Sequence, residues 1–154
     1  MGERPPRPTR RDYVAWRRMT TRWADDDVYG HMNNAVYYEL FDTAVNAHLI
    51  EASGVNVRTL PAVGVVAETS CRYFREIGFP EPVDAGLAVE RVGNSSVIYR
   101  IGLFQGDGDE AAAEGRFVHV YVDNTSGPGD RPVRPLPDVI RAVAEALVPE
   151  AAAD

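Results

Sequence analysis

The sequence contains no lysine: its 16 basic residues are all arginine, set against 23 acidic ones, for a formal net charge of −7. A chain this acidic lacks the diffuse positive surface that sequence-independent binding to phosphates requires, so nucleic acid is not an expected partner. Cysteine is nearly absent, and Cys71 alone can build neither an intrachain disulfide nor a cysteine-rich metal site. His31, His48 and His119 are scattered rather than set at ligand spacing, and no metal is expected. No stretch approaches the roughly 20 apolar residues that cross a bilayer. The basic N-terminus, Met1 to Arg11, is not followed by an apolar signal core either. A cytoplasmic protein that avoids the membrane is the expectation.

What is present suits one folded unit. The chain has 154 residues, 45% of them hydrophobic and 25% charged, which supports a single core. Residues 1–11, rich in Pro and Arg, read as a flexible leader before a domain over 12–150. Tyr13 to Trp23 reads as a first strand, and the polar, Gly30-containing stretch Ala24 to Asn34 reads as a loop. Asn33 and Asn34 are good N-cap residues for a helix over Ala35 to Ala52, which Gly54 is placed to end. That helix is apolar over most of its circumference, with Glu39, Asp42, Thr43 and Asn46 leaving a narrow polar stripe, the pattern of a buried helix. The stripe suits either a ligand pocket or a subunit interface.

Long strand-like stretches follow at Val63 to Phe74, Val83 to Val92, Ser95 to Phe104 and Ala111 to Val122. A Gly/Pro-rich loop then leads to a short helix from about Pro137 to Val148. The economical arrangement is an α+β fold in which a curved antiparallel sheet wraps one long helix, with a short C-terminal helix added. Edges left by such a sheet need cover, which favours an oligomer.

The densest chemical signal is Asp25-Asp26-Asp27-Val28-Tyr29-Gly30-His31-Met32-Asn33-Asn34, just ahead of the long helix. A helix start offers unpaired N–H groups and partial positive charge, which can polarise a carbonyl. A carboxylate one short loop away can attack that carbonyl or activate water. Taken alone, the acidic triplet reads more simply as a solvated turn before a capped helix. His48 and His119 read as satisfied core or interface histidines, and Cys71 as a small buried hydrophobe.

The run Arg22-Trp23-x-Asp25-x-Asp27-x-x-Gly30-His31-x-Asn33-Asn34-x-x-Tyr37 resembles the signature of the 4-hydroxybenzoyl-CoA thioesterase-like branch of hot-dog proteins. Arg72-Tyr73-Phe74-Arg75-Glu76, Val92-Gly93-Asn94-Ser95-Ser96 and Pro135-Leu136-Pro137 are similar to further segments of that family, in the same order. The resemblance implies a hot-dog fold and an acyl-CoA thioesterase that needs no cofactor, coenzyme A being part of the substrate. It implies Asp27 as nucleophile or general base, with Asp25 shaping the loop and Asp26 merely solvated. The helix start at Asn34 and Ala35 would polarise the thioester, helped by Val63, Gly64 and Val65 of a partner subunit. His31 would order the loop or assist Asp27, and Gly30, Asn33 and Tyr37 would line the substrate. Arg72, Arg75, Ser95 and Ser96, with Arg91 and Arg100, would meet coenzyme A phosphates. A homodimer or homotetramer with sites at the subunit interface follows from the same likeness.

Two other readings use the same fold. A hydratase or dehydratase acting on enoyl- or hydroxyacyl-CoA spaces its pair Asp-x-x-x-x-His, as Asp26 and His31 are spaced. Its loop, however, carries Asn-Pro where this chain has Val28-Tyr29. A non-catalytic acyl-CoA-binding module is the other, since fold alone does not fix function.

Overall fold

The computed structural model describes residues 4–127 and 129–150. Five strands, β1 (Ala15–Met19), β2 (Ala62–Tyr73), β3 (Val83–Val92), β4 (Ser96–Phe104) and β5 (Ala113–Asp123), form one antiparallel sheet. Their spatial order is β1-β3-β4-β5-β2, so the first two strands in sequence lie at opposite edges. The connection between those edges is helix α1 (Asn34–Ser53), which runs across one face of the sheet. This is the helix-wrapped antiparallel sheet expected from the sequence. Helix α2 (Asp138–Ala146) packs beside α1 and β3 and closes the core from one side.

Asn33 accepts from the Ala35 N–H at 2.9 Å to start α1, and Gly54 ends it in the left-handed conformation at φ 72°. Val36, Tyr37, Leu40, Phe41, Ala44, Val45 and Leu49 are buried, at the spacing that lines one face of a helix. They meet the inward-facing positions of the sheet, among them Val97, Tyr99, Ile101 and Leu103 of β4 and Ala113 and Phe117 of β5. Each such large side chain contributes about 1.5–3 kcal/mol on full burial. Shifts of register at Val66/Glu68 and Val89/Arg91 bend the sheet around the helix. At Gly115 the helix comes so near that an added Cβ would lie 2.5 Å from the Phe41 ring.

Two stretches differ from the sequence reading. The first strand stops at Met19, because Trp23 belongs to a short 3-10 turn over Trp23–Asp25 and is 81% exposed. Residues expected in a flexible leader are packed against the β4–β5 hairpin. The Pro8 carbonyl accepts from Ala111, Arg7 Nε donates to the Ala111 carbonyl at 2.8 Å, and the Arg10 guanidinium lies 4.7 Å from the Phe104 ring centre. As the expected open edge of the sheet, β2 has both faces largely exposed from Gly64 to Ser70, including Val65 and Val66. Among the described residues no helix is long and apolar enough to cross a membrane.

Gly115→Ala should lower stability by about 1–3 kcal/mol, because the helix must retreat from the sheet to admit the methyl group. Gly108→Ala, where nothing lies within 4 Å, should change it by less than about 0.5 kcal/mol. Urea denaturation measures both, and equal midpoints would contradict the close approach.

Candidate active site

The loop before α1 is a miniature hairpin. Asp26 and Met32 form a bridge, the Asp27 N–H donates to the His31 carbonyl at 2.9 Å, and the Gly30 N–H donates to the Asp27 carbonyl at 3.0 Å. Gly30 has φ 81°, a conformation in which a side chain is strained. The buried Met32 N–H donates to the Ile77 carbonyl and the Asn33 N–H to the Asp25 carbonyl, so the hairpin is tied to both sides of its base.

The three adjacent aspartates have three environments. Asp25 is 3% exposed, and its carboxylate accepts from the Arg22 backbone N–H at 2.7 Å and Arg22 Nε at 2.9 Å, with Nη2 at 2.8 Å. It is a structural anchor, as its place in the pair implied. Asp26, expected to be merely solvated, instead accepts from the Phe79 N–H at 3.2 Å and 3.3 Å and holds the Gly78–Phe79 segment. Asp27 uses one oxygen, Oδ1, to accept from the Tyr29 N–H at 2.9 Å in an Asx turn. Its other oxygen has no hydrogen-bond partner among the described residues. Asp27 is half-buried in a cleft of about 560 Å³ lined by Trp23, Asp26, Val28 and Gly30. Val28 in its wall and the neighbouring Tyr29 are 93% and 82% exposed, large side chains that invite cover by a ligand or a subunit.

The helix start offers less than the sequence suggested. The Ala35 N–H is taken by Asn33 Oδ1 and the Val36 N–H by the Asn33 carbonyl. Among the described residues, the donor left at the tip of the helix is the Asn34 N–H. The Asn34 side-chain carbonyl accepts from the Tyr73 hydroxyl, and the Tyr73 ring meets Tyr37 edge-on at 5.0 Å. Tyr37 itself is buried in the core behind the loop. His31 does not turn toward Asp27; its Nε2 lies 3.0 Å from Glu76 Oε2 on the surface. The imidazole therefore ties the loop to the segment after β2, the ordering role.

Several expected substrate residues lie elsewhere in the chain. Val63, Gly64 and Val65 are on the edge strand beside Asn46 of α1, about 18 Å along the helix from Asn34 at 1.5 Å per residue. Arg72 is on the outer face of the sheet, where it and Arg100 hold the buried Glu114 at 3.1 Å and 2.9 Å; Tyr13 donates to the same carboxylate at 2.5 Å. Arg75 donates to the Gln105 carbonyl. Ser95 and Ser96 lie at the far end of β4, beside Val120 and Tyr121. One chain thus does not gather these residues into one phosphate patch. Burial pushes the Cys71 thiol up to about 11, which keeps it protonated and unreactive. Among the described residues no cluster of His, Cys, Asp or Glu is suited to a metal ion.

A sequence profile of the thioesterase-like superfamily matches residues 21–147, which contain the loop, both helices and β2 to β5. The chain belongs to that superfamily. Its structure superposes on the PA5185 protein of Pseudomonas aeruginosa with TM-score 0.86 and 43% identity, over 94% of this chain and 99% of that one. The PA2801 protein of the same organism, provisionally assigned as a thioesterase, gives 0.74 and 27% over 84% and 97%. At 12% identity, the 1,4-dihydroxy-2-naphthoyl-CoA thioesterase Slr0204 of Synechocystis shares the fold with TM-score 0.73, covering 84% of this chain and 93% of its own. Comparison with curated proteins gives no match. The architecture of this thioesterase-like protein is the hot-dog fold, as the loop motif implied.

Sequence reasoning missed the anchoring by Asp26, whose partner is 53 residues away and leaves no local signal. It passed over the Arg22–Asp25 clasp, whose i, i+3 spacing was readable. It also read His119 as satisfied. That ring is 2% exposed on the inner face of β5, and neither nitrogen has a hydrogen-bond partner among the described residues.

Asp25→Asn should cost about 1–3 kcal/mol of stability, because it weakens a buried carboxylate's bonds to Arg22. Asp27→Asn keeps an amide oxygen for the Tyr29 N–H and should be close to neutral. Thermal or urea unfolding separates them; a larger loss at Asp27 would reverse the roles of anchor and free carboxylate.

Proposed function

We propose that this protein hydrolyses acyl-CoA thioesters to the free acid and coenzyme A. The observation that carries the reading is the half-buried Asp27, held by its own turn with one carboxylate oxygen unclaimed, ahead of a helix start whose Asn34 N–H is also unclaimed. In the general-base course, Asp27 takes a proton from a water whose oxygen bonds to the thioester carbon. The tetrahedral oxyanion is stabilised at the helix start. It collapses by breaking the C–S bond, and the departing thiolate takes up the proton. In the nucleophilic course, the carboxylate oxygen itself bonds to the carbon and expels the thiolate. Water then cleaves the resulting anhydride and restores Asp27.

The reading includes a second copy of the chain. Edge strand β2 offers twelve residues of backbone with exposed valines and a single charged side chain before Arg72, Glu68. Such an edge is a ready template for pairing. Two β2 strands paired antiparallel would bring Val63 to Val65 of one copy toward the Tyr73 end of the other, beside its helix start. The sites then lie at the interface of a homodimer, or of a homotetramer of two such dimers, in the cytoplasm. The dihydroxynaphthoyl-CoA thioesterase of Synechocystis supports a coenzyme A ester as the class of substrate.

Steady-state thiol release from a panel of acyl-CoA esters is the test. Asp27→Asn should lower kcat at least about a hundredfold with little change in KM. Absence of thiol release across the panel would sink the proposal, whereas hydration of enoyl-CoA would favour the hydratase. Light scattering that finds an active monomer would remove the shared site.

A further inference from the structure

The inner face of β5 carries a polar site that the chemistry at Asp27 does not use. A pocket of about 110 Å³ lies between α1 and the start of β2, walled by His119, Tyr121, Asn46, Val63 and Gly64, with Arg58 also in its lining. That is room for the end of a chain a few atoms long, or for three or four waters at about 30 Å³ each. His119 is 98% buried in its wall, and Tyr99, 1% exposed, sits behind it with ring centres 5.2 Å apart. Neither imidazole nitrogen nor the Tyr99 hydroxyl meets a hydrogen-bonding group of the protein among the described residues.

An unpaired buried polar group is costly in proteins, so the two bare His119 nitrogens in the wall of one small cavity ask for a ligand. Gly64 keeps the cavity open, since an added Cβ would lie 3.1 Å from the Tyr121 ring and 3.3 Å from His119 Nδ1. Burial pushes the His119 pKa down, with the Asp42 carboxylate opposing, and a neutral ring presents one donor and one acceptor. A hydroxyl, which also has one of each, is its match; a methyl group leaves both nitrogens unpaired.

We propose that this pocket receives the distal end of the acyl group and selects a hydrogen-bonding group there, a hydroxyl above all, with His119 as the specificity-determining residue. The proposal rests on the thioesterase reading and its β2-paired dimer. Within one chain the pocket is about 18 Å along α1 from the Asn34 end. Across an antiparallel β2 pair, however, the strand start that opens onto the pocket lies toward the partner's helix start. The acyl tail would cross the interface from the partner's Asp27 loop to reach it.

The test pairs ω-hydroxyacyl-CoA esters of graded length with methyl-ended acyl-CoA esters of equal heavy-atom count, assayed by thiol release on the whole protein. At the length that reaches the pocket, kcat/KM should favour the hydroxyl ester by about tenfold or more. His119→Leu, which removes both nitrogens, should reduce that preference to within about twofold. Gly64→Ala, which narrows the cavity, should shift the optimum to shorter chains. A wild-type enzyme that prefers the methyl-ended ester, or a preference unchanged in His119→Leu, overturns the proposal. A second readout needs no turnover: nitrogen-15 shifts of the His119 ring on adding the free ω-hydroxy acid or its methyl-ended counterpart. Shifts with the hydroxy acid alone support the pocket even if no thioester is cleaved, in which case only the thioesterase reading fails. Equal responses, or none, overturn the pocket while leaving hydrolysis at Asp27 standing.

Discussion

Phe41 lies against Gly115, a strand position with no Cβ, and that contact sets how near α1 can come to the sheet. The helix must cross from one edge strand to the other, so its height above the sheet fixes the height of both its ends. At the first end, Asn33 caps the helix and its own N–H is bonded to the Asp25 carbonyl, so the loop before the helix inherits the helix's position. Toward the other end of the helix, Asn46 and Leu49 set the depth of the cavity over His119. Both candidate sites are thus consequences of one packing distance, and close packing transmits small changes in it.

The acidic triplet shows how identical side chains diverge within three residues. Asp25 points into the base of the hairpin and is fully engaged by Arg22; Asp26 reaches the Phe79 backbone; Asp27 closes an Asx turn and keeps one oxygen toward the cleft. The alternating direction of the chain through the short bridge at Asp26 and Met32 makes the difference. An anchored carboxylate has little freedom to approach a substrate, while a free one without anchors would be poorly aimed. Only Asp27 combines a fixed backbone with an uncommitted oxygen.

The parts legible in the sequence were those set by local pattern. The helix read over 35–52 spans Asn34–Ser53, and β3 runs from Val83 to Val92 as its apolar run indicated, because side-chain periodicity and caps decide such elements. Gly30 was legible because its turn needs a residue that tolerates φ 81°. What could not be read depended on partners distant in sequence. The solvated reading of Asp26 failed against Phe79, the flexible reading of residues near Pro8 failed against Ala111, and His119 has no hydrogen-bond partner among the described residues. Nor does periodicity say that Asn33 spends its side chain on Ala35, which leaves Asn34 with the open N–H.

One chain carries two half-finished devices at opposite ends of α1. The loop has a carboxylate and a helix start but rims of exposed Val28 and Tyr29; the His119 cavity has hydrogen-bonding atoms but no reactive group. Between them runs β2, whose Tyr73 end touches Asn34 and whose Gly64 end opens on the cavity. In the proposed dimer the antiparallel pair of strands is symmetric about its middle, so each loop end would meet a cavity end and the pair would hold two composite sites. The same pairing would cover the exposed valines and the open backbone of the edge. The physical need to cover an edge and the chemical need to join a carboxylate to a binding pocket would then be met by one contact.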